Sequence, residues 1–161
     1  MIKKEAIELL QYRIQQEQLS SRIYEQMSMY LDNNGYLGAT KLWSKYSEEE
    51  LKHAEWAKEY LLSYGITPCL RKLDEVDCEY TGLCDIINKT YDHETEITRQ
   101  CEELAAKAMS MGDHGLYHLA SKYCHEQTEE MSKAQTLKDL IRTFGEDKTT
   151  LLILDEKLGD L

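Results

Sequence analysis

Glu50 and His53 stand three residues apart in Glu50-Leu51-Lys52-His53, a spacing that sets a carboxylate and an imidazole side by side on one helical face, within reach of a common metal ion. A lone Glu-x-x-His is common by chance, and its position gives it weight. The motif lies in the stripe Trp43, Tyr46, Glu50, His53, Ala57, Leu61, Tyr64, whose other members are apolar or aromatic. Three further stripes repeat the pattern. The first runs Ala6, Leu10, Glu17, Ser21, Tyr24, Met27, Leu31, with a glutamate in an apolar row. The third runs Leu83, Ile87, Tyr91, Glu94, Ile97, Cys101, Leu104, Ala108, and the fourth Leu116, Leu119, Tyr123, Gln127, Glu130, Ala134, Leu137, Ile141. An ionised carboxylate alone in a core costs several kcal/mol or more, so such groups are normally paired, protonated or metal-bound.

The four segments must therefore position these ligands at one level. Helices beginning near residues 5, 37, 82 and 113 place them about 18 to 21 Å along each axis, near mid-height of a helix of about 28 residues. Four carboxylates meeting there carry a charge of −4, which two divalent cations cancel, and no row of Lys or Arg faces them. Oxygen ligands with a single imidazole suit Fe²⁺, Mn²⁺ or, less specifically, Zn²⁺, and the lack of thiolates on the stripe argues against a soft metal. A bridging carboxylate would hold two ions about 3.5 to 4 Å apart. Tyr24, two turns after Glu17, could hydrogen-bond a ligand or pass an electron, or it could be ordinary core.

Composition agrees with an all-helical reading. The chain has 161 residues, one Pro and 42% hydrophobic residues, one domain's worth of material with ample core. Glycines fall at the edges of the periodic segments, as punctuation. The net charge of −11 disfavours nucleic acid and anionic membranes as partners and makes cations the natural clients. The start, Met1-Ile2-Lys3-Lys4-Glu5, lacks the apolar run of a signal peptide, and the longest aliphatic run is Leu151 to Leu154, so the expected location is cytoplasmic. Cys69, Cys78, Cys84, Cys101 and Cys124 are an odd number without a C-x-x-C pair, which reads as reduced thiols, Cys101 and Cys124 serving as small core residues.

Asp32-Asn33-Asn34-Gly35 stops the first helix, and so short a turn makes the second antiparallel to it. From Gly65 through Pro68 to Thr81 there is no helical period. This stretch of about 16 residues spans up to about 50 Å, enough to pass a helix of about 42 Å, so it can return the chain to the far end and set the third helix parallel to the second. Gly112-Asp113 reverses the chain into the fourth. Asp113, His114 and His118 there read as a solvated turn or as pore-lining groups. Glu146 to Leu161 forms a short amphipathic coda that cannot fold alone and must pack on its own bundle or on neighbouring subunits.

On these residues the chain resembles the bacterial non-haem ferritins. The resemblance covers nearly the whole length, from Glu17 with Tyr24, through Glu49-Glu50-x-x-His53-Ala54 and His93-Glu94-x-x-Ile97-Thr98, to Glu126-Gln127-Thr128-Glu129-Glu130 and the final helix. It implies a ferritin-like four-helix bundle with one long crossover (1–145) and a short fifth helix (146–161), together one domain over 1–161. It further implies Fe²⁺ oxidation by O₂ or H₂O₂ at an intrasubunit di-iron site and storage of ferric mineral inside a homo-oligomeric shell of 24 subunits. By carry-over Glu17, Glu50, His53 and Glu94 hold the first metal or bridge the pair, and Glu94 and Glu130 hold the second. Gln127 stands near bound oxygen, and Glu49, Glu126 and Glu129 with Glu130 form a third iron site facing the inner surface. Bacterioferritins differ: they carry a second Glu-x-x-His, where this chain has Gln127-x-x-Glu130, and a haem-binding Met where this chain has Leu51, so no haem is expected. The DNA-coating mini-ferritins place their iron site between subunits and lack the fifth helix, and rubrerythrins add Cys-x-x-Cys pairs. The alternatives outside iron storage are a di-iron carboxylate oxidase or peroxidase, and a shell subunit with a crippled oxidation site.

Overall fold

The computed structural model describes residues 1–161. Five helices and no strands follow one another: α1 (Lys4–Asn33), α2 (Leu37–Ser63), α3 (Leu83–Ser110), α4 (His114–Phe144) and α5 (Lys148–Leu158). The fold is all-α, as the 3.6-residue period requires, and Pro68, which would break a helix, lies in the long connection. The apolar rows are the buried rows. On α1 every member of the stripe from Ala6 to Leu31 is buried, Glu17 and Ser21 included. Three positions depart: Tyr91 and Ile141 are only partly buried, and Tyr64 is 51% exposed, because α2 ends at Ser63 and Tyr64 is its C-cap.

Gly35, at φ +82°, makes the tight reversal from α1 to α2, a conformation that glycine adopts without a Cβ penalty. The two helices then pair along their length, laced beside the candidate ligands by reciprocal bonds in which the Ser21 and Ser47 hydroxyls each donate to the other's carbonyl at 2.8 Å. The connection from α2 to α3 runs along α1. It begins where the Cys69 amide donates to Gln11 Oε1 at 2.7 Å and Gln15 Nε2 donates to the Lys72 carbonyl at 2.7 Å. It finishes at the opposite end, where the Tyr80 ring packs on Tyr30 with centroids 5.2 Å apart. Having traversed α1, the chain enters α3 parallel to α2, and the indole of Trp43 donates to Thr90 Oγ1 at 3.0 Å to tie them. The expected crossover is thus present. α4 returns antiparallel to α3, with Asp113 capping its first turn by accepting from the Leu116 amide at 3.0 Å.

α5 takes the first of its two possible places, its own bundle. Leu154 and Leu158 are fully buried beside Leu31, Ala39 and Trp43. The buried Asp155 carboxylate accepts from the amides of Gly38 at 3.1 Å and Ala39 at 2.7 Å, supplying the cap that the first turn of α2 lacks from its own N-cap residue. Two apolar clusters result, one at each end of the bundle. Between them lies a polar belt of Glu17, Glu50, His53, Glu94, Gln127 and Glu130. No helix is long and apolar enough to cross a membrane.

Candidate metal centre

Glu17, Glu50 and His53 face one another from α1 and α2, each offering a ligand atom within 4.8 Å of the others. All three are buried. His53 Nδ1 lies 3.2 Å from Glu50 Oε2 and 3.8 Å from Glu17 Oε2, so one ring nitrogen addresses both carboxylates. The other, Nε2, lies 3.3 Å from Glu126 Oε1. The Tyr123 hydroxyl donates to the His53 carbonyl at 2.6 Å and ties α2 to α4 at this level. Two carboxylates and an imidazole converge as a site for a divalent cation of borderline hardness.

The other half comes from α3 and α4. Glu94, 3% exposed, accepts from the Tyr24 hydroxyl on one oxygen and from Gln127 Nε2 at 2.9 Å on the other. Glu94 and Glu130 line a cavity of about 10 Å³ together with Tyr24, Tyr46, Thr90 and Lys133. That is room for one small guest, such as a water or an ion. Lys133 Nζ lies 2.8 Å from Glu130 Oε1 and 3.6 Å from Glu49 Oε2.

Residues 7–144 match the profile of the ferritin-like domain. The chain belongs to the ferritin family. It is 30% identical over 161 residues to a probable bacterial non-heme ferritin-like protein of Haemophilus influenzae, covering 100% of this chain and 98% of that one. A bacterial non-heme ferritin of Escherichia coli aligns at the same 30% identity, with the same coverage of 100% and 98%. Among solved structures, the open-pore ferritin of the hyperthermophilic archaeon Archaeoglobus fulgidus superimposes with a TM-score of 0.95 at 30% identity, over 99% of this chain and 98% of that one.

The electrostatics of this ferritin follow from burial. Removal from water raises the Glu50 carboxyl well above the usual carboxylate range, and the nearby Glu17 adds to it. Burial likewise raises Glu94, opposed by the hydrogen bonds from Gln127 and Tyr24. Glu130 is pushed up to about 7 by burial, opposed by Lys133. Burial also raises the Tyr24 phenol well above its ordinary value, with Glu94 the next cause, so the hydroxyl stays a proton donor.

No row of Lys or Arg faces the carboxylates, but two single cations reach them. Arg13, 1% exposed, places Nε 2.9 Å from Glu17 Oε1, and Lys133 holds Glu130. Burial alone would lower Arg13, but Glu17 and its other anionic neighbours outweigh this and raise it. With all four carboxylates ionised, Arg13 and Lys133 reduce the belt from −4 to −2. Both were detectable. Arg13 stands four residues before Glu17 and Lys133 three after Glu130, the spacings at which helical side chains touch.

Of the residues suggested for a third site, Glu49 and Glu126 have partners of their own. Glu49 reaches Lys133, Glu126 reaches His53, and Glu129 is exposed. Only Glu17, Glu50 and His53 form a group of three or more His, Cys, Asp or Glu with ligand atoms this close. His114 and His118 are exposed on the first turns of α4. The five cysteines are unpaired, with Cys101 buried and Cys124 partly so.

Proposed function

We propose that this ferritin is an iron-storage ferroxidase, a cytoplasmic single-domain protein that oxidises Fe²⁺ at a paired intrasubunit site and keeps the ferric product inside a 24-subunit shell. The observation that carries the reading is the buried triad Glu17, Glu50 and His53 abutting a second pair of buried carboxylates, Glu94 and Glu130, inside an apolar bundle. Such a belt is a standing cost to the fold unless cations enter it, and family membership supports iron as that cation. Fe²⁺ is the substrate here. Glu17, Glu50 and His53 receive one ion and Glu94 and Glu130 a second.

The surrounding groups orient the ligands. Tyr24 and Gln127 hold the two oxygens of Glu94 from opposite sides, fixing its plane. When O₂ takes one electron from each of two ferrous ions, two protons complete hydrogen peroxide, and H₂O₂ as oxidant leaves as water. The cavity of about 10 Å³ beside Glu94 and Glu130 has room for one small guest only. Glu49, Glu126 and Glu129 are assigned to passing iron onward from the pair, as a third site on the inner side.

The test is anaerobic loading with Fe²⁺ followed by O₂ in a stopped-flow instrument, with iron counted per particle. Glu50→Ala and His53→Ala should each slow the fast ferric phase by at least about 100-fold, the scale of losing a metal ligand. The helical circular dichroism should stay intact, and in Glu50→Ala the loss of a buried acid also relieves repulsion in the metal-free belt. An unchanged fast phase in either variant refutes the assignment.

A further inference from the structure

We infer that Lys133 is a displaceable counter-cation that occupies the second metal position until an incoming ion expels it, so that the two halves of the centre fill in order. This rests on the di-iron reading above and adds what that reading leaves open, the inequality of the two positions.

Three observations carry it. Lys133 Nζ lies 2.8 Å from Glu130 Oε1 and lines the same cavity as Glu130 and Glu94. An ion that takes Glu130 Oε1 as a ligand must break the bond that the ammonium makes to it. Lys133 also has somewhere to go: its side chain is 42% exposed, and Glu49 Oε2 already waits 3.6 Å from Nζ. A lysine stem of four methylenes turns easily, and its ammonium is well hydrated outside.

The contrast with the first half is chemical and geometric. Glu17, Glu50 and His53 converge without a mobile cation among them. The cation that does touch Glu17 is Arg13, whose side chain is 2% exposed and wedged against Cys101 and Tyr123. Arg13 stays in place whether or not a metal binds, and Glu17 Oε2 keeps no hydrogen-bond partner of its own. The first ion therefore enters a converged set of ligands. The second must break an ion pair, and the released ammonium moves to Glu49.

Removing the charge of Lys133 should tighten the second position alone. The measurement is anaerobic calorimetric titration of the assembled protein with Zn²⁺, a probe that cannot be oxidised, repeated with Fe²⁺. Wild type should show two classes of site, the second weaker. In Lys133→Met the second class should tighten by about tenfold, the lower end of what a ligand's neighbour contributes to metal affinity, while the first shifts less than about twofold. Lys133→Arg keeps a cation and should retain the weak second class. Lys133→Gln repeats the test with a polar side chain, should methionine disturb the helix. An unchanged or weaker second class in both neutral variants overturns the inference while leaving the di-iron reading intact. Absence of any binding that Glu50→Ala abolishes would instead overturn the di-iron reading, and this inference with it.

Discussion

Glu130 shows what burial does when no metal is present. Its carboxyl is pushed up to about 7 by burial against an ordinary value of 4.5, and Glu50 and Glu94 are raised for the same first cause. The folded state therefore holds protons that the unfolded chain releases. The associated stability is complete below about 4.5 and is lost as pH rises through about 7. Glu94 and Glu49 lie near this group and raise it further, Glu50 and Glu94 add to the loss through their own raised values, and Lys133 opposes it. The metal-free protein should melt several degrees lower at pH 8 than at pH 5, at about 2–4 °C per kcal/mol for a domain of this size. Saturating Zn²⁺ should remove the slope and release protons on binding. A flat melting profile for the metal-free protein would mean that Arg13 and Lys133 already offset the burial. The ligand positions were legible in the sequence because each replaces an apolar residue in a periodic row. The two cations were legible only by helical spacing, since a count of apolar positions passes over them: Arg13 sits in the row of Glu17, four residues before it, and Lys133 stands three residues after Glu130 with its side chain half-exposed.

At the scale of elements, the contact between α5 and the start of α2 has the least slack. A Cβ on Gly38 would lie 1.9 Å from the backbone oxygen of Asp155, so neither partner can yield without the helices separating. Gly38→Ala should displace α5 and cost about 1–3 kcal/mol or more, the range for overpacking a filled interface. It should also lose the cap at the Gly38 and Ala39 amides. The check is a lowered melting temperature with new proteolytic cleavage between Phe144 and Lys148. Gly115→Ala provides the comparison: its Cβ would meet the Tyr60 hydroxyl at 2.7 Å, the far end of a side chain that can turn away. An equal effect of the two substitutions would show that α5 docking is not limited by the close approach. The first four helices and the crossover could be read from periodicity and chain reach. The docking of α5 could not, since a buried aspartate capping a helix more than a hundred residues earlier leaves no periodic trace.

For the whole molecule, storage requires an enclosed volume that one bundle does not have. The docking of α5 decides how to test assembly. Truncation after Gly145 would also remove the buried Leu154 and Leu158 and the Asp155 cap, so a failed shell could then be a failed fold. Leu152 and Ile153 are the better targets. They are 60% and 50% exposed on the outward side of α5, adjacent apolar side chains that an isolated subunit has no reason to present to water. Leu152→Asp combined with Ile153→Asp should leave the subunit folded while placing charge on the face that the proposed shell would bury. Twenty-four chains of 18.8 kDa make a particle of roughly 450 kDa, and light scattering should show that mass for the wild type and a much smaller one for the double variant. Fast oxidation of the first two ferrous ions per subunit should survive, because its ligands lie within one bundle, while ferric product should precipitate instead of staying soluble. A double variant that still assembles and retains mineral would exclude the outward face of α5 as a necessary contact. A wild type that never exceeds a dimer, even when loaded with iron, would favour a di-iron oxidase over storage.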